Sequence, residues 1–144
     1  MATPQIAAQH LAICARDFAT GQRLEAVGDP WAAVAYFYST YRVVRAAMYA
    51  DERLNSDSAA RAVSPKLNAG SRHVDFHNGH PARGPGVNDI VRLLYPPIGA
   101  RYELLHTKSV EVRYGAGLTA GTIADTRGLA EDIRAYLRGE GRVP

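Results

Sequence analysis

The sequence predicts an all-α protein, an antiparallel bundle of four long helices with a long irregular loop between the second and the third. Apolar residues recur at helical spacing along most of the chain, and no segment shows the alternation that is typical of a half-buried strand. Prolines and glycines stand where helices would begin and end. The 144 residues, 47% of them hydrophobic, favour a single domain over 1–144 with a core that needs no disulfide.

The first helix is expected over residues 4–27, where an apolar stripe runs along one side. Gly28, Asp29 and Pro30 predict the end of this helix and the capped start of the next. Cys14, the only cysteine, lies within the stripe, which favours a small buried residue over a nucleophile. A single cysteine excludes an intramolecular disulfide and is typical of a reducing cytosol.

The second helix, expected over residues 30–54, is apolar nearly all round, a pattern typical of the middle of a bundle. We interpret its tyrosines as core residues whose hydroxyls need partners, in preference to a base-stacking platform. Arg42 and Arg45 interrupt the apolar surface. These arginines either lie at the helix edge and extend to solvent, or belong to a dimer seam or a phosphate-binding site.

Residues 55–86 are rich in Asn, Ser, Gly and Pro, and they predict a long loop with at most a short helical turn at 58–63. The loop holds three of the five histidines, His73, His77 and His80. Histidines at such spacing can serve a metal, but no fourth ligand is evident in this segment. We therefore expect a polar loop that approaches a ligand or RNA, with neither a metal site nor a bound cofactor.

A third helical piece is expected over 87–95, before a Pro-Pro pair that forces a break. In the central helix that follows, over 97–114, apolar positions repeat at steps of four and three and predict one buried face. Those positions are Ile98, Tyr102, Leu105, Ser109 and Val112. A connector over 115–121 precedes a last helix, which starts near Thr122 and runs to about residue 138. Residues 139–144 are expected to fray.

Arg101 and His106 of the central helix are the predicted catalytic residues. Metal-free RNA cleavage needs a base for the 2′-hydroxyl proton and a cation at the phosphate, and histidine and arginine supply these groups. A step of five residues turns a helix by about 500°, so the two side chains diverge by about 140°. A two-fold dimer could bring Arg101 of one protomer near His106 of the other. Glu103, one turn before His106, could instead hold the histidine in a hydrogen bond.

The charge, the N-terminus and the absence of certain motifs limit the classes of protein to which this chain can belong. The 17 basic residues exceed the 14 acidic residues to give a net charge of +3, which alone does not imply nucleic-acid binding. The N-terminus lacks the basic region and apolar run of a secretory leader, and no apolar run approaches membrane-spanning length. No phosphate-cradling glycine loop and no nucleophile elbow occurs. We expect a cytoplasmic protein that does not associate with membranes.

Two stretches resemble the HEPN (higher eukaryote and prokaryote nucleotide-binding) family of helical domains. GDPWAAVAYFYSTYRVVRAAM, residues 28–48, is similar to the second-helix block of that family, and LLHTKSVEVRYG, residues 104–115, is similar to a later helix. The resemblance covers roughly residues 25–138 and implies a bundle of four to five helices, usually a homodimer. Many members are metal-independent endoribonucleases of toxin–antitoxin or antiviral-defence systems. Their arginine and histidine, with four to six residues between them, are matched by Arg101 and His106.

Other members of the family lack the catalytic pair and bind nucleotides or partner a nucleotidyltransferase. The Arg113–Tyr114 ending is closer to this group. The resemblance therefore implies two alternatives: a dimeric endoribonuclease that acts on RNA and is neutralised by an antitoxin, or a non-catalytic module that binds a nucleotide or a protein. Arg42, Arg45 and Arg113 are the residues expected to contact RNA or a nucleotide.

Overall fold

The computed structural model describes residues 3–115 and 118–144, and within these residues the protein is helical and contains no strand. The predicted all-α class is confirmed. The described chain forms six α-helices: α1 (Thr3–Ala26), α2 (Ala32–Ala50), α3 (Asp57–Val63), α4 (Val87–Leu94), α5 (Pro96–Arg113) and α6 (Ala120–Gly139). Two 3-10 helices, Glu52–Leu54 and Ala69–His73, flank α3.

Helix α2 lies at the centre of the fold and packs against α1, α5 and α6. Of its 19 residues 15 are buried, which explains why its sequence is apolar nearly all round. Each of the four tyrosine hydroxyls has a hydrogen-bond partner. Tyr36 donates to Glu25 Oε1 (2.6 Å), Tyr38 accepts from Arg113 (3.0 Å), Tyr41 donates to the Asp75 carbonyl (3.1 Å) and Tyr49 bonds His73 Nδ1 (3.2 Å). The interpretation of these aromatic residues as core is therefore confirmed.

The break between α1 and α2 forms at the predicted place, but α2 begins at Ala32, two residues after the expected Pro30, and Trp31 takes the N-cap position expected for Asp29. Gly28 adopts φ +70°, a left-handed conformation that glycine reaches without strain, and the Asp29 carboxylate accepts a hydrogen bond from the Trp31 amide (2.9 Å). Inside α1, Gly21 is buried against the ring of Tyr36. A Cβ atom at position 21 would lie 2.7 Å from that ring, so only glycine leaves room for the tyrosine.

The segment 55–86 is more ordered than the loop that its composition predicts. Ser56 caps α3 by accepting from the Ala59 amide (3.1 Å), and Asp57 accepts from the Ala69 amide (2.9 Å) at the start of the second 3-10 helix. Leu54, Ala60 and Leu67 are buried in the core. The helical turn expected at 58–63 is observed as α3. The contact of Asp57 with Ala69 and the burial of these side chains depend on residues that are distant in sequence, which local composition does not reveal.

Helix α5 presents the face that its spacing predicts. The five positions of the apolar repeat are all buried: Ile98, Tyr102, Leu105, Ser109 and Val112. The Pro-Pro pair provides the first turn of the helix, and Gly115 follows its end with φ +114°. The connector of 115–121 includes residues 116 and 117, which lie outside the described residues, and Thr119 caps α6 in place of the expected Thr122.

The C-terminal tail does not fray as expected. Gly141 turns the chain with φ +69°, and Val143 lies in the core at 7% exposure. Arg142 reaches the Asp51 carboxylate (3.5 Å), which is fully buried and also accepts from Arg53 (2.8 Å) and Tyr95 (2.9 Å). Burial opposes ionisation of Asp51, but the hydrogen bonds from Arg53 and Tyr95 outweigh it and lower its pKa.

Candidate functional site

A groove of about 600 Å³ runs along α5 beside the start of α4. Its lining combines two amides, one histidine, two carboxylates, one threonine and apolar or aromatic side chains: Asn78, Asn88, Glu103, Leu104, His106, Thr107, Val110, Glu111 and Tyr114. The two carboxylates are already paired, Glu103 with Arg92 and Glu111 with Lys108 (3.5 Å). The groove is therefore close to neutral and not a basic cleft.

His106 forms part of the groove wall and is itself only 7% exposed. Its ring stacks on Phe37 with centroids 4.8 Å apart, and Asn88 Nδ2 lies 2.9 Å from its Nδ1. Because an amide nitrogen can only donate, Nδ1 must accept, and the neutral ring then carries its proton on Nε2. Burial, together with the neighbouring His77 and Arg113, lowers the pKa of His106 to about 4, which agrees with a neutral ring.

His77 is the second histidine at this site, with its ring centroid 4.7 Å from that of His106. Its backbone carbonyl accepts from the Asn88 amide (3.1 Å), so the start of α4 fixes the position of the histidine. Gly86 makes this approach possible, because a Cβ there would lie 2.4 Å from the His77 carbonyl oxygen. Burial lowers the pKa of His77, with a further contribution from Arg113. Its buried Nδ1 has no hydrogen-bond partner among the described residues.

One protomer does not bring the predicted catalytic residues together. His106 packs against Phe37 in the groove wall, whereas Arg101 is exposed. The Arg101 guanidinium contacts only the Pro97 carbonyl of its own helix (3.4 Å) among the described residues. The divergence expected from helix geometry is therefore observed. Glu103 does not hold His106, because it pairs with Arg92 and Asn88 takes its place.

Of the three arginines expected to contact RNA or a nucleotide, Arg42 and Arg45 belong to α2 and Arg113 is the last residue of α5. Arg113 is beside the groove histidines, where it donates to Tyr38. Arg45 is only 5% exposed, so of the two alternatives for this residue the one in which it extends to solvent is wrong. It donates to the hydroxyls of Tyr41 (3.2 Å) and Tyr49 (3.5 Å), and the half-buried Arg42 bonds His10 Nδ1 (3.2 Å). Within the described part of the chain, the guanidinium groups of Arg42 and Arg45 therefore donate hydrogen bonds to tyrosine hydroxyls and a histidine, and not to carboxylates.

The three loop histidines go to different places. His73 contacts Tyr49, His77 joins His106, and the exposed His80 closes a tight turn with Gly84. Among residues 3–115 and 118–144 there is no group of three or more His, Cys, Asp or Glu side chains that could hold a metal ion. In the same residues no helix has both the length and the apolar character needed to cross a membrane.

Sequence reasoning did not assign Asn88 or Phe37 to the site and left the role of His77 open. Asn88 carried one usable signal, since it lies on the same helical face as Val91 and Tyr95, which are both buried. A polar residue on a buried face requires a partner. Phe37 and His77 gave no such signal, because only the tertiary packing places them beside α5.

Comparison of the chain with models of known protein families, with curated proteins and with solved structures gave no match.

Proposed function

We propose that the protein is a non-catalytic HEPN-like helical module that binds a nucleotide through its base in the α5 groove. The main support for this proposal is the hydrogen bond that Asn88 donates to His106 Nδ1. It occupies the lone pair that a general base needs and leaves Nε2 as an N–H donor. His106 is thus prepared to donate a hydrogen bond to a ligand and not to remove a proton from a 2′-hydroxyl.

The groove supplies the groups that recognise a base edge. His106 Nε2 is a donor, and Asn88 Oδ1 is a buried acceptor with no partner among the described residues. Asn78 adds a second amide, and Tyr114, 81% exposed at the rim, offers a ring for stacking. The volume of about 600 Å³ lies within the range of small-molecule sites. The pairing of Glu103 and Glu111 with cations removes most of their repulsion toward phosphate.

A metal-independent endoribonuclease of the toxin or antiviral-defence type is the second candidate. It is favoured by the exposure of Arg101 on α5 and by the position of His106 in the groove wall of the same helix. In this alternative a homodimer pairs Arg101 of one protomer with His106 of the other, and the Asn88 contact is released on RNA binding. The resemblance to the HEPN family is also the basis for proposing an antiparallel arrangement of four long helices and a homodimer. The same resemblance suggests an antitoxin or a nucleotidyltransferase as the partner protein.

The test measures binding of AMP and UMP by isothermal titration calorimetry. His106→Asn keeps an acceptor near the position of ring Nδ1 but removes the Nε2 donor, so affinity should fall about tenfold. His80→Asn, a histidine outside this groove, is the matched control and should bind as the wild type does. Absence of binding of either nucleotide at millimolar concentration would refute nucleotide recognition in the groove.

A parallel assay of RNA cleavage in EDTA separates the two candidates. The wild type, Arg101→Gln and His106→Asn proteins are compared, with folding checked by circular dichroism. We expect no cleavage by any of them. Cleavage by the wild type that is lost in both variants would establish the endoribonuclease and overturn the non-catalytic proposal.

A further inference from the structure

A second polar cluster lies on the α1 side of α2, and we call it the arginine–tyrosine cluster. It consists of His10, Arg42, Arg45, Tyr49 and His73. The ring of His10 stacks on Tyr49 (centroids 5.6 Å apart), and the ring of His73 meets Tyr49 edge-on (5.5 Å). The guanidinium of Arg45 lies over the same tyrosine ring (5.4 Å). Three helical segments, α1, α2 and the second 3-10 helix, supply these side chains.

The cluster has an excess of positive charge that nothing described in the structure balances. Among residues 3–115 and 118–144, no carboxylate lies within ion-pair distance of Arg42 or Arg45. Arg45 is only 5% exposed, and the Nε atoms of both arginines are buried without partners. A buried guanidinium with neither a counter-charge nor a full set of acceptors is unfavourable.

The hydrogen bonds within the cluster leave it rich in donors. Arg42 can only donate, so His10 accepts at Nδ1 and keeps its proton on Nε2. Arg45 donates to the Tyr49 hydroxyl (3.5 Å), which also bonds His73 Nδ1 (3.2 Å). Burial, Arg45 and Arg42 lower the pKa of His10 to about 4, so His10 is neutral and the two arginines carry the charge. A ligand that only accepts hydrogen bonds and carries negative charge would complete this arrangement.

We propose that the arginine–tyrosine cluster is a binding site for a phosphate-class dianion, with Arg42 and Arg45 as its charged ligands. The partly exposed His10 and Arg42 and the exposed His73 form the side from which the anion enters. Phosphate oxygens match the planar donor geometry of guanidinium groups. The anion is either free phosphate or the phosphoryl group of a monoester. This site is distinct from the α5 groove, and the inference does not depend on nucleotide-base recognition there.

The experiment follows thermal unfolding during titration with inorganic phosphate and with ribose 5-phosphate, at constant ionic strength set with sodium chloride. Ribose 5-phosphate has no base, so its binding tests this site and not base recognition in the groove. For the wild type, the Tm should rise by about 4 °C at ten times Kd. Inorganic phosphate as the tighter ligand would identify the free ion, and ribose 5-phosphate as the tighter ligand would identify a monoester.

Two variants and a control keep the inference falsifiable. Arg42→Gln and Arg45→Met should abolish the phosphate-dependent rise, whereas Arg23→Gln, an exposed arginine on α1, should retain it. Without phosphate, Arg45→Met should unfold at the wild-type temperature or above, because a buried unpaired charge has been removed. If Arg45→Met does not fold, Arg42→Gln alone decides. A wild type with no rise beyond that in sodium chloride, or an Arg42→Gln variant with the full rise, would overturn the proposal.

Discussion

Lowering the pH from 7 to 5 tests whether the fold holds His106 neutral. The pKa of His106 is about 4 in the folded protein, whereas its ordinary value is 6.5. Between pH 4 and pH 6.5 the unfolded chain therefore binds more protons than the folded protein does. The contribution of His106 to stability is therefore present above pH 6.5 and is lost as the pH falls toward 4. The loss is about 1.4 kcal/mol per pH unit in this window, or about 2 kcal/mol between pH 7 and pH 5.

The assay is urea denaturation of the wild type, His106→Asn and His80→Asn at pH 7 and pH 5. The shorter asparagine leaves space beside Phe37, so His106→Asn should be less stable at pH 7, but the change in unfolding free energy with pH is the quantity tested. Between pH 7 and pH 5, the His106→Asn variant should lose about 2 kcal/mol less unfolding free energy than the wild type does. His10, whose pKa is also about 4, contributes equally to all three proteins and cancels.

The exposed His80 is the matched control, and its variant should follow the wild type. A wild type and a His106→Asn variant with the same pH dependence would refute the reasoning, because His106 would then be as easily protonated in the folded protein as in the unfolded chain. The neutral donor on which the nucleotide proposal rests would be lost with it.

Three further substitutions test the packing. Asp51→Asn should destabilise the protein by about 3 kcal/mol, because it removes a buried charge among paired arginines; the exposed Asp132→Asn should change the urea midpoint little. Gly86→Ala should cost about 3 kcal/mol, since the added methyl group meets backbone atoms, whereas Gly128→Ala, with open space around it, should stabilise α6 by about 1 kcal/mol in the same assay. Val143→Ala should lower the unfolding free energy by about 1 kcal/mol; an unchanged midpoint would mean that the tail does not pack in solution.

The sequence was most informative where a structural feature repeats along one segment. The buried face of α5 follows from its own spacing, and the break at Gly28 follows from its own turn chemistry. Segment 55–86 and the tail were predicted less well, because their order depends on distant partners. Asp57 holds the Ala69 amide, and Asp51 holds Arg142, and neither pairing leaves a local pattern.

The same distinction applies to the candidate site. The pattern of Arg101 and His106 drew attention to α5, and the expected divergence of the two side chains follows from helix geometry alone. What surrounds His106 could not be predicted, since Asn88, His77 and Phe37 belong to three other segments. The burial of Arg45 likewise depends on tyrosines whose contacts form only in the folded protein.

The fit of Gly21 against Tyr36 has a consequence for how this chain can evolve. A methyl group at position 21 would displace the tyrosine ring, and the tyrosine hydroxyl bonds Glu25, whose other oxygen pairs with Arg127 of α6 (2.9 Å). Positions 21, 36, 25 and 127 should therefore change together among descendants of this sequence. Alanine at 21 should accompany a residue smaller than tyrosine at 36 and a relaxed choice at 25 and 127.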